Sequence, residues 1–285
     1  YGHGHPLRYY ADRGTVADGT RHGSRLLYVV NHPLTVCNFR LAANWMQFYV
    51  RRGMPGLNRF RNMTGKDWPG TLRLLETLFA MGPAEAAGVI GAAPWARDQD
   101  VEELLRFLFP EAVRPVYLFI DIRHMQQHWY KIGAWDLRRK EGPEFVSHPY
   151  ITVEEQGEKW LVGEPPVGSQ RGRIVIDREK GLYRTPEMRG RLTHLLVRET
   201  TDTTVQNFGC ERGLRFEMVP RSAFGVLVDQ RVAGTVFNQL FTRMAYDGRY
   251  FEPLMLSTPR FQVWRVRGDD VEAATDAELS SGPLP

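Results

Sequence analysis

No run of apolar residues in this sequence is long enough to cross a bilayer as a helix. The longest, such as Val116 to Ile120 and Leu26 to Val30, fall far short of the roughly 18–20 residues that a spanning helix needs. Cysteine is scarce too: Cys37 and Cys210 are the 2 cysteines in 285 residues. They stand far apart and in no CxxC or zinc-like spacing, which argues against a metal site and leaves two buried thiols or one disulfide as the readings. The Gly-x-Ser-x-Gly elbow, the Walker loop and the dinucleotide fingerprint are all missing, so no motif marks a self-contained enzyme. There is no initiator Met, charged n-region or apolar h-region, and the first residue reads as a processing site or a chosen boundary, the boundary being preferred. Concentrated charge of one sign is lacking as well. The 37 Lys and Arg are interspersed with 33 Asp and Glu for a net +4, which does not make the one-sided basic face of a nucleic-acid binder.

What is present is a globular composition, 42% hydrophobic and 12% aromatic, enough for a sizeable core. From Thr35 to about Ile132 the period is helical. Val36, Phe39, Ala42, Ala43, Met46, Tyr49 and Val50 recur at spacings of three and four, which puts one apolar face on a helix. Leu72, Leu75, Leu78 and Phe79 make a second stripe closed by Gly82-Pro83, and Asp100 with Glu103 reads as an N-cap before Leu104, Leu105 and Leu108. Val116 to Asp121 reads as a buried strand, and a short helix is expected from about Arg123 to Gly133.

From about Trp135 to Val219 the pattern breaks into short runs, among them Tyr150–Val153, Trp160–Val162, Arg173–Ile176 and Thr193–Val197, separated by Gly and Pro as in antiparallel strands. The end returns to mixed structure, with strands at Phe224–Val228 and Phe261–Val266 and an amphipathic helix from about Val232 to Ala245. The fold class expected is α+β. A helix-rich central core (1–134 and 220–267) carries a β-rich insertion (135–219), is completed by the C-terminal strand-helix-strand segment, and ends in a flexible tail (268–285).

The opening Tyr1-Gly2-His3-Gly4-His5 holds the residues with the plainest claim to chemistry. His3 behind a free amino terminus would offer a square-planar nitrogen set for Cu(II) or Ni(II), but with no third side-chain ligand nearby the pair His3 and His5 reads better as a glycine-rich connector.

Joined to the adjacent Pro6-Leu7-Arg8-Tyr9-Tyr10-Ala11-Asp12, this opening resembles the segment that begins with the WWDYG motif in bacterial single-subunit, PglB-type oligosaccharyltransferases. Leu41-Ala42-Ala43-Asn44-Trp45-Met46 is similar to the Ala-Ala-Asn helix of that family. Pro115 to Met125 resembles its strand leading into a second recognition motif, and Phe224–Asp229, Phe237-Asn238 and Phe261–Val266 come in the family's order. The resemblance runs over about residues 1–267.

The resemblance implies the soluble periplasmic domain of a membrane enzyme that transfers a lipid-linked oligosaccharide to Asn in Asn-x-Ser/Thr sequons. It implies partners in an acceptor polypeptide and, through a multi-span membrane part, the lipid-linked donor; nucleic acid is not expected. Mg²⁺ or Mn²⁺ belongs to that membrane part, so no cofactor or metal is expected in this chain, nor any catalytic residue, and the chain alone is expected to transfer no glycan. Tyr1, Gly2, His3 and Gly4 would be a remnant of WWDYG, whose Trp and Asp residues bind the hydroxyl of the +2 Ser or Thr. Family members also carry an MxxI motif followed by a further apolar residue, which lies against the threonine side chain. Here Met125, His128 and Ile132 take those places, at i, i+3 and i+7 on one helix face, with His128 departing from the family's Ile. Asn62-Met63-Thr64 is itself a sequon, preceded by Phe60 where relatives prefer an acid, and is not expected to be glycosylated. The alternative is a non-catalytic periplasmic or extracellular binding module.

Overall fold

The structure is a computed structural model that describes residues 24–269 except 112, 127, 128, 168, 170, 200 and 201. The chain begins there with α1 (Ser24–Thr35) and α2 (Phe39–Thr64), which starts where Asn38 Oδ1 accepts from Leu41 N at 3.0 Å. The helix whose apolar face is read over Val36–Val50 thus starts at Phe39 and continues to Thr64 through a break. Gly53 makes the break with φ 57°, a left-handed value open to glycine, and Pro55 lies just beyond it. Next come α3 (Trp68–Met81), closed by Gly82, α4 (Pro83–Gly91) and α5 (Val101–Leu108). Asp100 caps α5 as expected, its Oδ1 accepting from Glu102 N at 2.8 Å.

One face of α2 buries Leu41, Trp45, Phe48 and Tyr49 in a helical cluster with Leu72, Leu75, Leu78 and Phe79 of α3 and Leu104, Leu105 and Leu108 of α5. The Trp45 and Phe79 rings meet edge to face at 6.2 Å, and Phe48 meets Phe107 at 5.6 Å. The other face offers Ala42 and Ala43, both fully buried, to a second cluster that holds the C-terminal elements.

That second cluster packs under a three-stranded antiparallel sheet of β1 (Val116–Asp121), β11 (Phe261–Val266) and β10 (Phe251–Ser257), in that order. Between β1 and the larger sheet lie α6 (Ile122–Gln126) and α7 (Trp129–Gly133).

The other strands are β2 (Ser147–Gln156), β3 (Trp160–Glu164), β4 (Ile174–Asp177), β5 (Leu182–Arg184), β6 (Arg189–Arg198), β7 (Thr203–Asn207), β8 (Leu214–Val219) and β9 (Phe224–Val228). They form a sheet in the order β5-β4-β3-β2-β9-β8-β6-β7, and a further β5–β6 pairing closes it into a barrel. Only the β6–β8 pair is parallel among the described strands. Tyr150, Leu161, Ile174, Ile176, Leu195, Phe216 and Leu227 fill the interior.

Strands β2 and β9 are the shared wall between barrel and helical core. On β9, Leu227 points into the barrel while Val226 and Val228 join the second cluster, so all five residues of Phe-Gly-Val-Leu-Val are buried. A strand covered on both faces has no need of polar alternation.

Two readings are corrected. Cys37 is exposed, Cys210 is half-buried and both thiols are free, which excludes the buried pair and the disulfide alike. The single helix read over Val232–Ala245 is divided into α8 (Gln230–Ala233), α9 (Val236–Asn238) and a π-helical turn (Gln239–Arg243). Thr235 restarts the chain as an N-cap, accepting from Asn238 N at 3.2 Å, and Gln239 Nε2 donates to the carbonyl of Gly234 at 2.7 Å. The break lets Asn238 and Arg243 both reach Glu217 on β8.

Candidate functional site

Strand β1 passes directly into the segment that holds Met125 and Ile132. Asp121, at the end of β1 and 4% exposed, makes the turn. Its Oδ1 accepts from Arg123 N at 3.0 Å and its Oδ2 from Arg123 Nε at 3.0 Å, which starts α6 as an N-cap would.

Met125 is 2% exposed and belongs to the second cluster with Trp129 and Phe237. Trp129 packs on Phe237 with ring centroids 4.5 Å apart and meets Tyr130 edge to face at 5.6 Å. Its Nε1 is buried with no partner among the described residues. Ile132 is half-buried on α7 and belongs to none of the three clusters. His128, and Tyr1, Gly2, His3 and Gly4, lie outside the described residues, so of the expected recognition set the structure places Met125 in the core and Ile132 at its margin.

The far end of α7 is fixed by α1. A Cβ on Gly133 would stand 2.7 Å from the Asn31 carbonyl and 2.6 Å from Thr35 Cγ2, so glycine is what lets the two helices meet. The Gly133 carbonyl lies 2.9 Å from His32 Nδ1, and His32 Nε2 lies 3.0 Å from Glu76 Oε1. Tyr28 stacks on the imidazole at 4.9 Å and Trp45 tilts onto it at 4.8 Å. Burial, then the Glu76 carboxylate, raises the Tyr28 phenol well above its ordinary pKa. A cleft of about 270 Å³ opens beside this junction, walled by Tyr28, Arg73, Glu76, Trp135 and Asp136. The Asp136 carboxylate is held below its usual pKa by the backbone N–H groups of Arg139 and Arg138.

The sequence reading singled out neither His32 nor Glu76. Each stands among other polar residues of its helix, Arg25 and Asn31 on α1 and Arg73 and Thr77 on α3, and only the topology brings α1, α3 and α7 together.

The Ala-Ala-Asn segment has a structural task. Asn44 is 2% exposed; its Nδ2 donates to the Phe79 carbonyl at 3.0 Å and to Asp269 Oδ2 at 2.8 Å, while its Oδ1 accepts from Asp269 N at 2.7 Å. Gln47 Nε2 donates to the Val266 carbonyl at 2.6 Å, and Arg40 pairs with Asp269 at 3.1 Å. Two turns of α2 thus tie down the chain after β11 as far as Asp269, so Gly268 and Asp269, read as the start of a flexible tail over 268–285, are held against α2; residues 270–285 lie outside the described set. Asn62 is exposed near the end of α2, where Thr64 Oγ1 donates to the Arg61 carbonyl at 3.1 Å, so its sequon is helical. Among the described residues no group of three or more His, Cys, Asp or Glu side chains is placed to hold a metal ion, and no helix is long and apolar enough to cross a membrane.

No family model matches the chain, and no curated protein matches it in sequence. Among solved structures it is similar to the crystal structure of the C-terminal domain of PglB from C. jejuni, with a TM-score of 0.56 and 13% sequence identity over 94% of this chain and 91% of that one. The chain therefore has the fold of the PglB C-terminal domain, the fold that its sequence resemblance implied.

Proposed function

We propose that this chain is the periplasmic, acceptor-recognising domain of an oligosaccharyltransferase that modifies Asn in Asn-x-Ser/Thr sequons. The observation that carries the reading is the fold, shared with the PglB C-terminal domain across nearly the whole of both chains. In this reading the segment from Asp121 to Gly133 forms one wall of the pocket for the +2 residue. Ile132, half-buried at the edge of the core, meets the threonine methyl, Met125 packs in the core behind it, and His128 belongs to the same set by the resemblance. Tyr1 to Gly4 are the remnant of the motif whose Trp and Asp, on the preceding chain, bind the hydroxyl. The lipid-linked donor and the Mg²⁺ or Mn²⁺ ion belong to a membrane-spanning part, and this chain by itself transfers no glycan.

One methyl group buried against an apolar side chain contributes about 0.8 kcal/mol, a preference for Thr over Ser of roughly four-fold. The test is Ile132→Ala in the enzyme that includes the membrane part. The KM for a Thr-sequon peptide should rise while kcat changes little, and the Thr-over-Ser ratio should fall toward one. An unchanged KM and ratio would remove Ile132 from the pocket. The wider reading is tested separately by the coding sequence upstream of Tyr1, which should specify many apolar spans and end in Trp-Trp-Asp; a short polar leader would overturn it.

A further inference from the structure

The outer face of the barrel carries a groove that no part of the sequon reading uses. It encloses about 820 Å³, a volume typical of sites that hold small molecules. Its floor is two cross-strand rows. One runs Trp160, Asp177, Leu182, Arg191 across β3, β4, β5 and β6, and the other Val175, Arg184, Arg189 across β4, β5 and β6. Ile176, which alternates with these rows, points the other way into the barrel, while Tyr183 and Gly190 border the groove.

The charge in the groove is one-sided. Arg184, Arg189 and Arg191 are exposed, and none has a hydrogen-bonded or ion-pair partner among the described residues. Arg173, also in the lining, pairs with Glu164 at 3.5 Å, and the one lining carboxylate, Asp177, is engaged by Lys159 at 3.7 Å. Arg184 and Arg189 stand directly opposite each other, an arrangement of like charges that disfavours the sheet unless an anion lies between them. Arg191 sits two residues along β6, about 7 Å away on the same face. Beside the arginines, Trp160 and Leu182 are each 39% exposed and supply a flat apolar platform.

We propose that this groove binds an anionic oligosaccharide, with sugar rings laid on Trp160 and Leu182 and their carboxylate or phosphate groups between the guanidinium groups of Arg184, Arg189 and Arg191. Guanidinium forks match carboxylate and phosphate oxygens in pairs, and an exposed indole provides a rigid surface for the C–H face of a sugar. A free phosphate ion would satisfy the arginines and leave the platform bare. A lipid surface calls for apolar side chains that protrude, whereas this wall is concave. The groove lies on a different element set from Met125 and Ile132, so the proposal stands or falls apart from the sequon reading.

The test titrates the full chain with tetragalacturonate by calorimetry, alongside maltotetraose, inorganic phosphate, and vesicles of phosphatidylcholine with phosphatidylglycerol. Saturable binding of tetragalacturonate is expected, at least ten-fold tighter than that of maltotetraose or phosphate. Binding should weaken at least ten-fold in Trp160→Ala and in Arg189→Ala with Arg191→Ala. Arg184→Gln should weaken it too, with a melting temperature unchanged or raised because the opposed charges are gone, which separates lost binding from lost folding. Absence of saturable tetragalacturonate binding, equal binding of maltotetraose, binding to vesicles alone, or binding that survives these substitutions would each overturn the proposal.

Discussion

His148 sits on the barrel-facing side of β2, opposite Leu227, 9% exposed and with Nδ1 unpartnered among the described residues. Burial, then the nearby Arg171 cation, pushes its pKa down to about 4. An unfolded histidine titrates near 6.5, so between those values the unfolded chain binds the extra proton. Stability is therefore full above about pH 6.5 and is lost as the pH falls toward 4. The expected loss attributable to this residue is about 2–3 kcal/mol. Urea unfolding at pH 7 and pH 4.5 should show it, and His148→Phe should remove most of the difference; a variant with the same pH dependence would refute the assignment. Glu217 poses the complementary case of a fully buried carboxylate, bonded by Asn238 Nδ2 at 2.7 Å and by the Arg243 guanidinium. Arg243→Met leaves that charge without its counter-ion and should cost about 3–5 kcal/mol in a denaturant melt; a cost below about 1 kcal/mol would mean the charge is compensated otherwise. Neither residue was legible in the sequence. A polar side chain in a strand of mixed composition, as both β2 and β8 are, looks the same whether it faces water, a barrel or a cation on another element.

At the scale of the element, helix caps and buried strands were the most legible features, because their causes are local. Asp100 before Val101 and the unbroken apolar run of β9 needed only neighbouring residues to be read correctly. Helix α1 and the divided segment after Asp229 were not legible: Pro33 interrupts the pattern of one, and side-chain caps at Thr235 and Gln239 override the apolar period of the other. The Met125–Ile132 segment shows the same ambiguity for the candidate site. Apolar residues at i, i+3 and i+7 mark a face, and a face packs a core or meets a ligand with the same periodicity. Since Met125 is 2% exposed, Met125→Ala should lower stability by about 2–4 kcal/mol, and its effect on acceptor KM would mix folding with recognition, which makes Ile132 the cleaner probe. Gly133→Ala tests the element as a unit. Its methyl would collide with the Asn31 backbone and push α7 from α1, at a cost of about 1–3 kcal/mol. A thermal melt identical to that of the parent protein would show that the junction yields freely.

At the scale of the whole molecule, the shared wall determines how the two halves respond to each other. Strands β2 and β9 contribute Tyr150 and Leu227 to the barrel interior and Val226 and Val228 to the helical core, so neither core can lose this wall without exposing the other. Composition and turn spacing signalled a β-rich region, but the closure through β5 and β6 and the use of β9 by both cores depend on pairings between residues far apart in sequence. The tryptophans make the coupling measurable. Trp45, Trp68, Trp95, Trp129, Trp135 and Trp264 all belong to the two helical-side clusters, while Trp160 is exposed on the barrel's outer face. Leu227→Ala removes a fully buried side chain that points only into the barrel, at a cost of about 2–5 kcal/mol. If the halves unfold as one, the transition followed by tryptophan emission should move down by roughly 5–15 °C, in step with the transition followed by far-ultraviolet circular dichroism. A tryptophan transition left in place while part of the dichroism signal melts earlier would show instead that the barrel unfolds alone, and that the two faces of β9 are held independently.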